Sequence, residues 1–309
     1  MILVDFSHTA ISSLHGYAAR MGKPIDQVGI DFFRHMVLNA LRFYRKRMDQ
    51  YGDLVIACDH PRSWRRDVFP FYKQGRKKHR EASAVDWKIV HGWMDTVLAE
   101  LSGNFPYPVI KVEGAEGDDV IASLVRRHAA TQSDCDFGPI RSLHGRRVLI
   151  VSGDGDFLQL QAHPFVDQFR PAIGEMFRLP PEEDGWQYRQ RHILEGDAGD
   201  GIPNALSPDD VFVNPDKRQV TLRANLKRQL LLETDHEELV RHAPFYDRNE
   251  RLIDLIGNQC PEVDIQIVDS YNTQLNTLDS AECTRRRRRL LSFFIQHRLS
   301  LLTEHLGEF

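Results

Sequence analysis

Acidic residues in this chain stand where short apolar runs end. Asp5 closes the run that begins at Met1, and Asp59 closes the run that begins at Leu54. Three further motifs, EGDD, SGDGD and GDAGD, occur later, and the first two follow apolar runs of the same kind. Together these segments supply nine carboxylates, namely Asp5, Asp59, Glu116, Asp118, Asp119, Asp154, Asp156, Asp197 and Asp200.

Carboxylates that meet in one cleft require compensating positive charge, because neighbouring anions raise one another's pKa or force the site apart. Oxygen donors without cysteine or histidine favour a hard divalent cation over zinc. Two such cations about 4 Å apart can clamp a phosphodiester, one activating water and the other stabilising the leaving oxygen. The acids therefore predict two Mg²⁺ ions, with Mn²⁺ able to substitute, and phosphodiester hydrolysis.

Each acidic motif also has a structural explanation. An acid after a strand often caps the next helix, as Asp5 and Asp59 could, and acids at a helix start complement the helix dipole. Glycine and aspartate together, as in SGDGD, are common in turns. The coincidence of four such motifs at strand ends favours a site, and capping stays the alternative for each acid taken alone.

A long basic segment separates the second and third apolar runs. About fifty residues lie between Asp59 and the run near Val109, far more than one crossover helix requires. Cations in the stretch YKQGRKKHR could grip a scissile phosphate, and Phe69 and Phe71 beside it could stack on unpaired bases, although a charge run is commonly a solvated face. We predict that the nucleic acid contacts Tyr72, Lys73, Arg76, Lys77, Lys78 and Arg80. For the last three of these residues, a diffuse electrostatic role is equally compatible with the sequence.

The elements that must position these residues alternate along the first two thirds of the chain. Apolar residues recur at three-to-four spacing from Phe33 to Tyr44 and from Val120 to Val125, which is typical of helices. Between the helices, β-branched runs too short for a helix are predicted to be strands, at residues 1–5, 54–59, 108–112 and 147–151. This alternation implies right-handed crossovers, so the predicted fold class is α/β with a mostly parallel central sheet and flanking helices. Ligands bind at the carboxyl ends of such strands, where the acids fall.

The last third of the chain changes character. Beyond Asp200 helical periodicity dominates, as in residues 222–232 and 290–306. The run Arg285–Arg289 precedes the last of these predicted helices. These arginines could equally face solvent or contact DNA. We predict an α/β domain at residues 1–190, with a basic insertion at about 62–105. A mainly helical C-terminal domain is predicted at residues 191–309.

Composition sets the outer limits. The 309 residues include 41% apolar and 27% charged side chains, as ordinary globular proteins do, and no apolar run approaches the ~20 residues that span a bilayer. With no signal-peptide pattern and only scattered cysteines and histidines, we expect a protein of the reducing cytoplasm, without a membrane partner, most of whose histidines pack or face solvent. The net charge of −4 includes the nine acids, and without them the chain is net positive, so nucleic acid stays open as a partner.

The chain resembles the 5′-nuclease or flap endonuclease family. The resemblance rests on an ordered series of residues and motifs: Asp5, Asp59, FYKQGR, EGDD, SGDGDFLQL and GDAGDGIPN. The opening VDFSHTAIS, the WRRD-to-YK stretch and the ending LSFFIQHRLSLLTEHLGEF resemble the bacteriophage branch of that family. The resemblance spans essentially the whole chain, and residues 205–285 match least.

The resemblance implies a PIN-like 5′-nuclease fold and a metal-dependent 5′→3′ exonuclease and flap or fork endonuclease. Such an enzyme would remove lagging-strand RNA primers in phage DNA replication and leave 5′-phosphate products. Its substrates would be forked, flapped or nicked DNA and RNA–DNA hybrid. A phage single-strand-binding protein and a sliding clamp would be its protein partners, and it would act as a monomer in the host bacterial cytoplasm.

The same resemblance divides the acids between two metal positions. The first would involve Asp5, Asp59, Glu116, Asp118 and Asp119, directly or through water, and the second Asp154, Asp156, Asp197 and Asp200. The basic pair at the base of the family's helical arch, which admits a single-stranded 5′ end, corresponds to Lys73 and Arg76. Catalysis is expected to depend on Lys73, Arg76, Asp118 and Asp154.

The chain departs from the family pattern at two places. Gly117 replaces the alanine of the family's EADD motif and is expected to loosen that turn. After GDGIPN the chain lacks the glycine–hydrophobic–glycine hairpin with which many relatives hold duplex backbone and a monovalent cation. The details of that duplex contact, including the ion, stay open.

Two other functions stay open at the level of sequence. One is a ribonuclease of the related small acidic-site nucleases that act on structured RNA, and the other is a non-catalytic scaffold that binds DNA junctions. The arch-like insertion disfavours the first, because such compact domains generally lack it. The number of acids disfavours the second, because a protein that only binds phosphate gains nothing from carboxylates that face it.

Overall fold

A computed structural model describes residues 1–76, 83–133 and 147–309 of the chain. The predicted DNA-contacting residues Lys77, Lys78 and Arg80 lie outside the described residues. No helix in the described part of the chain is long and apolar enough to cross a membrane.

A six-stranded sheet forms the centre of the fold. Its spatial order is β3-β2-β1-β4-β5-β6, and all neighbouring pairs are parallel except β5 and β6. In chain order the strands are β1 (Ile2–Asp5), β2 (Leu54–Ala57), β3 (Val109–Ile110), β4 (Val148–Val151), β5 (Val166–Arg170) and β6 (Glu175–Met176). The predicted α/β class with a mostly parallel sheet is confirmed, whereas the sequence patterns do not predict β5 and β6.

Helices flank the sheet and make up the end of the chain. Within the described residues the first five with assigned bounds are α1 (Phe6–Met21), α2 (Ile30–Arg47), α3 (Arg65–Val68), α4 (Trp87–Asn104) and α5 (Gly117–Ser133). The next seven are α6 (Gly185–Glu195), α7 (Ala224–Leu232), α8 (His236–His242), α9 (Tyr246–Ile253), α10 (Pro261–Thr277), α11 (Ser280–Gln296) and α12 (Ser300–Thr303). A 3₁₀ segment, Asp156–Ala162, follows β4.

The C-terminal helices complete both cores of the sheet. Along β1, Ile2 and Val4 enter the core covered by α1, α2, α4 and α11, while Leu3 enters the opposite core, as the two-residue period of a strand dictates. Phe294 of α11 belongs to the first core and Ile267 of α10 to the second. The predicted division at residue 190 falls inside α6, and residues on both sides of it share these cores.

The end of the chain differs from the predicted helix 290–306. The run Arg285–Arg289 lies within α11 rather than before it, and α11 ends at Gln296, four residues before α12 begins. Arg286 donates to the carbonyl oxygens of Ser102 and Phe105, which would otherwise be unpaired at the end of α4. One member of the arginine run therefore anchors two helices to each other.

Candidate active site

The carboxyl edge of the sheet brings acids from separate segments together. Asp5 at the end of β1 accepts the backbone N–H of His8 at 2.9 Å and so caps α1, and its other oxygen accepts from Ser152 Oγ at 2.9 Å beyond β4. Asp59, beyond β2, accepts the backbone N–H of Gly117 at 2.7 Å at the start of α5. The structural explanation of these acids is thus correct, and the same contacts place them at one edge.

Three acids in this cluster repel one another, and no cation among the described residues compensates them fully. Burial, then the charge of Asp59, raises the pKa of Asp5 to about 7. Burial, then Asp156, raises the pKa of Asp154 to about 6, and burial, then Asp154, raises the pKa of Asp118 well above its usual range. Within the described residues no hydrogen-bond donor reaches the Asp118 carboxylate. Such an oxygen-rich pocket fits hard divalent cations, which would replace the protons that these raised pKa values favour.

Other acids of the set are already compensated by side chains from the basic segment. Lys73 Nζ lies 2.6 Å from Glu116 Oε1 and 3.4 Å from Asp200 Oδ2, and Arg76 pairs with the other oxygen of Asp200. Burial would raise the pKa of Glu116, but the charges of Lys73 and Arg65 outweigh it and hold that pKa below its usual range. Lys73 and Arg76 therefore lie against the acids, as predicted.

The backbone of Lys73 is fixed in an uncommon conformation. Its φ of 56° lies in the left-handed region, which costs a residue with a side chain roughly 1–2 kcal/mol. The Lys73 N–H donates to the Asp200 carbonyl at 2.7 Å. Gly201, which follows Asp200, has a φ of 78°, and a Cβ on it would lie 3.1 Å from the carbonyl oxygen of Phe71. The GDAGD loop thus determines where the Lys73 side chain emerges.

Tyr72 is a correction to the sequence prediction. Its side chain is buried, as is that of Phe69, so neither ring is available for stacking on bases. Instead the Tyr72 hydroxyl lies 2.6 Å from Glu116 Oε2 and 2.9 Å from Asp200 Oδ2 and can donate its one proton to either carboxylate. Of the predicted DNA contacts in the described residues, Arg76 is the most open, with 48% of its side chain exposed.

Replacing Tyr72 with phenylalanine is expected to lower the free energy of unfolding by about 1.5–3 kcal/mol, because a hydrogen bond to charged groups is lost while the ring still fills its space. Urea denaturation measures the change. Tyr17→Phe is the matched control, since no partner of the half-buried Tyr17 hydroxyl is found among the described residues, and it should shift stability by less than about 0.5 kcal/mol. Equal effects of the two substitutions would contradict the bridging role of Tyr72.

Asp119 is also placed differently from its prediction. Its two oxygens lie 2.9 and 3.0 Å from the guanidinium nitrogens of Arg65, and Oδ2 also accepts from Trp64 Nε1 and the Glu116 backbone. Asp119 therefore supports the start of α5, with no oxygen free for a cation. Arg65 was not predicted as a site residue, although it stands in the WRRD motif, because its burial depends on contacts distant in sequence.

A histidine joins the remaining acids. His192 Nε2 lies 3.1 Å from Asp156 Oδ1, and single donor atoms of Asp156, His192 and Asp197 all lie within 4.8 Å of one another. Burial would raise the pKa of Asp156, but His192 and more distant cations hold it below its usual range. His192 is not among the residues predicted from the sequence, although it stands one helical turn before the GDAGD motif.

Comparison with known proteins identifies the class. The model of the 5′-3′ exonuclease N-terminal resolvase-like domain matches residues 1–178. The chain therefore belongs to the 5′–3′ exonuclease family, whose members are nucleases and hence phosphodiester hydrolases.

Among particular proteins, ribonuclease H of Enterobacteria phage T4 is 27% identical over 316 aligned residues, which cover 99% of this chain and 95% of the T4 protein. The predicted resemblance to the bacteriophage branch of the 5′-nuclease family is thus confirmed. Two solved structures of the bacteriophage T5 enzyme share the fold. A T5 protein co-crystallised with metal ions has a TM-score of 0.58 at 16% identity, covering 90% of this chain and 97% of that one. A T5 flap endonuclease complex with DNA and metal ions has a TM-score of 0.59 at 15% identity, with the same coverage.

Proposed function

We propose that this protein is a metal-dependent 5′→3′ exonuclease and flap or fork endonuclease that removes lagging-strand RNA primers in phage DNA replication. The observation that carries the proposal is the set of mutually repelling carboxylates of Asp5, Asp118 and Asp154 at the carboxyl edge of the sheet. Capping the neighbouring helices would require fewer charges, so capping alone does not explain this set of carboxylates. The near full-length similarity to T4 ribonuclease H supports the choice of substrate.

Two divalent cations, Mg²⁺ with Mn²⁺ able to substitute, fit the donors. Asp5, Asp59 and Asp118 would hold one directly, and Asp154, Asp156 and Asp197 the other. Glu116 and Asp200, whose oxygens Tyr72, Lys73 and neighbouring arginines already engage, would act at these two positions through water. When bound, such ions lower the pKa of water and stabilise charge on phosphoryl oxygens. Asp119 is left out of the set, because Arg65 already occupies both of its oxygens.

The chain's own cations would act on the phosphate. Lys73 holds its ammonium between Glu116 and Asp200, and the partly exposed Arg76 lies beside it. A phosphate drawn to this edge would meet two fixed positive charges, which stabilise negative charge that develops on it during hydrolysis. Cleavage that leaves the phosphate on the 5′ side of the product follows from attack of water at the phosphorus with departure of the 3′ oxygen.

We extend the proposal to partners. The substrates are forked, flapped or nicked DNA and RNA–DNA hybrid, in keeping with the DNA bound by the T5 flap endonuclease. The protein acts as a monomer in the cytoplasm of the infected host and meets a phage single-strand-binding protein and sliding clamp at the fork. No described residue is assigned to these protein contacts.

Cleavage of a 5′-labelled flap in the presence and absence of Mg²⁺ tests the proposal directly. We expect short labelled fragments and a new 5′-phosphate on the downstream strand, and both should disappear when EDTA is added. Binding of the fork without cleavage in either condition would favour a scaffold, and cleavage confined to a structured RNA hairpin would favour a ribonuclease of the compact acidic-site class.

Replacing Lys73 with alanine is expected to slow the single-turnover cleavage rate about 100-fold while affinity for forked DNA changes far less, because preorganised charge acts mainly on the transition state. Lys23→Ala is the control. Lys23 is exposed just beyond the C-terminal end of α1, whereas Asp5 caps the other end of that helix. Replacing Lys23 should therefore leave the rate unchanged. A Lys73 variant that loses affinity but keeps its cleavage rate would reassign Lys73 to docking.

A further inference from the structure

The end of α6 fixes the position of His192 relative to Asp197. It lies in the last turn of α6, and its carbonyl accepts the N–H of Gly196 at 2.9 Å. Gly196 has a φ of 72°, and a Cβ there would lie 2.4 Å from the carbonyl oxygen of Pro203, so only glycine fits. This turn reverses the chain and brings Asp197 back to the side of the imidazole.

The imidazole nitrogen that faces the acids lacks a well-aligned hydrogen-bond partner in the described part of the chain. His192 Nε2 is inaccessible to solvent and, within the described residues, has no aligned hydrogen-bond partner. The 3.1 Å approach to Asp156 Oδ1 is therefore a close contact without the alignment of an N–H donor. Without metal the imidazole faces Asp156 as a cation, and a divalent cation bound to nitrogen and oxygen together would replace that proton and use a lone pair of each atom.

The spacing of the three donors fits one cation. Adjacent ligands of an octahedral cation with bonds of about 2.0–2.2 Å stand roughly 3 Å apart, and opposite ligands stand somewhat over 4 Å apart. The observed donors of Asp156, His192 and Asp197 all lie within 4.8 Å of one another. The ring plane is held by stacking on Tyr188, with centroids 5.8 Å apart and planes at 21°.

We propose that His192 is a nitrogen ligand, with Asp156 and Asp197, of one of the two cation positions. The inference rests on the proposed metal-dependent function and adds to it a preference among metals. An imidazole ligand favours Mn²⁺ and other transition metals over Mg²⁺, whereas carboxylates alone favour neither strongly. This position therefore binds Mn²⁺ in preference to Mg²⁺, which revises the expectation drawn from carboxylates alone.

Pulsed electron paramagnetic resonance of the full chain loaded with Mn²⁺ alone tests the proposal. We expect a ¹⁴N coupling that is replaced by a ¹⁵N coupling when the protein is labelled with ¹⁵N-histidine, a measurement that needs no variant. His192→Gln should abolish the coupling and weaken Mn²⁺ binding at one position by at least about tenfold, with a smaller effect on Mg²⁺.

His8 provides the matched control. It is a second imidazole at the acid cluster, but its Nε2 lies 3.2 Å from the backbone N–H of Gly153, which donates to it. His8→Gln should therefore leave the nitrogen coupling intact.

Three outcomes separate the inference from the proposed function. Wild-type protein that binds Mn²⁺ without any histidine coupling would overturn the ligand assignment and leave the nuclease proposal standing. A coupling that survives in His192→Gln would also overturn the assignment. Absence of both Mn²⁺ and Mg²⁺ binding would overturn the proposed function, and the inference with it.

Discussion

Replacing Asp118 with asparagine is expected to reduce the rate of flap cleavage by about 10³-fold or more. Asp118 is a carboxylate that no donor in the described residues engages, and its pKa is raised by burial and then by Asp154, so its oxygens are available to a cation. Metal-assisted charge stabilisation is worth several kcal/mol, and each 1.4 kcal/mol is a factor of ten in rate. Single-turnover cleavage of a labelled flap in Mg²⁺ measures the loss.

Binding separates this effect from a loss of folding. Affinity of the Asp118 variant for forked DNA should persist, since removal of a negative charge does not weaken attraction to phosphate. Asp53→Asn is the control, because Asp53 is almost fully exposed and precedes β2 at the opposite edge of the sheet, so its rate should be that of the wild type. Undiminished cleavage by the Asp118 variant would rule out its role in holding metal.

The sequence predicts where the acids gather because that information is local. An apolar run that ends in an acid specifies both a strand and the side chain at its carboxyl end, and parallel pairing does the rest. Register confirms the arrangement, since Asp5 pairs with Ala57, two residues before Asp59. This part of the site needs no knowledge of distant contacts.

Strand β5 shows why other parts of the fold were not predicted. Its sequence, VDQFR, contains two polar residues that are nevertheless buried, Asp167 and Gln168. Gln168 Nε2 donates to the carbonyl oxygens of Ser152 and Asp154, at 3.0 and 2.6 Å, and so steadies the SGDGD loop. Asp167 accepts from Tyr51 and Arg147. Polar residues satisfied by partners far along the chain look like surface residues in the sequence.

The roles of acids within one motif are likewise decided by distant partners. In EGDD, Glu116 is paired with Lys73, Asp119 with Arg65, and Asp118 with neither. The three carboxylates are alike in the sequence, and the resemblance to a family assigns all of them to metal. Only the packing of the basic segment against α5 separates a metal-binding acid from a supporting one.

Replacing Arg65 with methionine is expected to lower the free energy of unfolding by about 3–5 kcal/mol. The Arg65 guanidinium is buried, pairs with Asp119 and Glu116, and donates through Nε to the Leu252 carbonyl at 2.8 Å. Methionine fills a similar volume but leaves Asp119 without its cation and Glu116 with Lys73 alone, which is the costly way to break a buried ion pair. Urea denaturation followed by circular dichroism measures the loss.

The neighbouring arginine makes the interpretation specific. Arg66 stands next in the chain, is exposed, and loses the same charge when replaced with methionine, so its variant should change stability by less than about 0.5 kcal/mol. In a double-mutant cycle, Asp119→Asn should cost markedly less in the Arg65 variant than in the wild type, because the two side chains contact each other. Additive effects, or a loss below about 1 kcal/mol for the Arg65 variant, would show that Asp119 does not depend on Arg65 and return Asp119 to the candidate metal ligands.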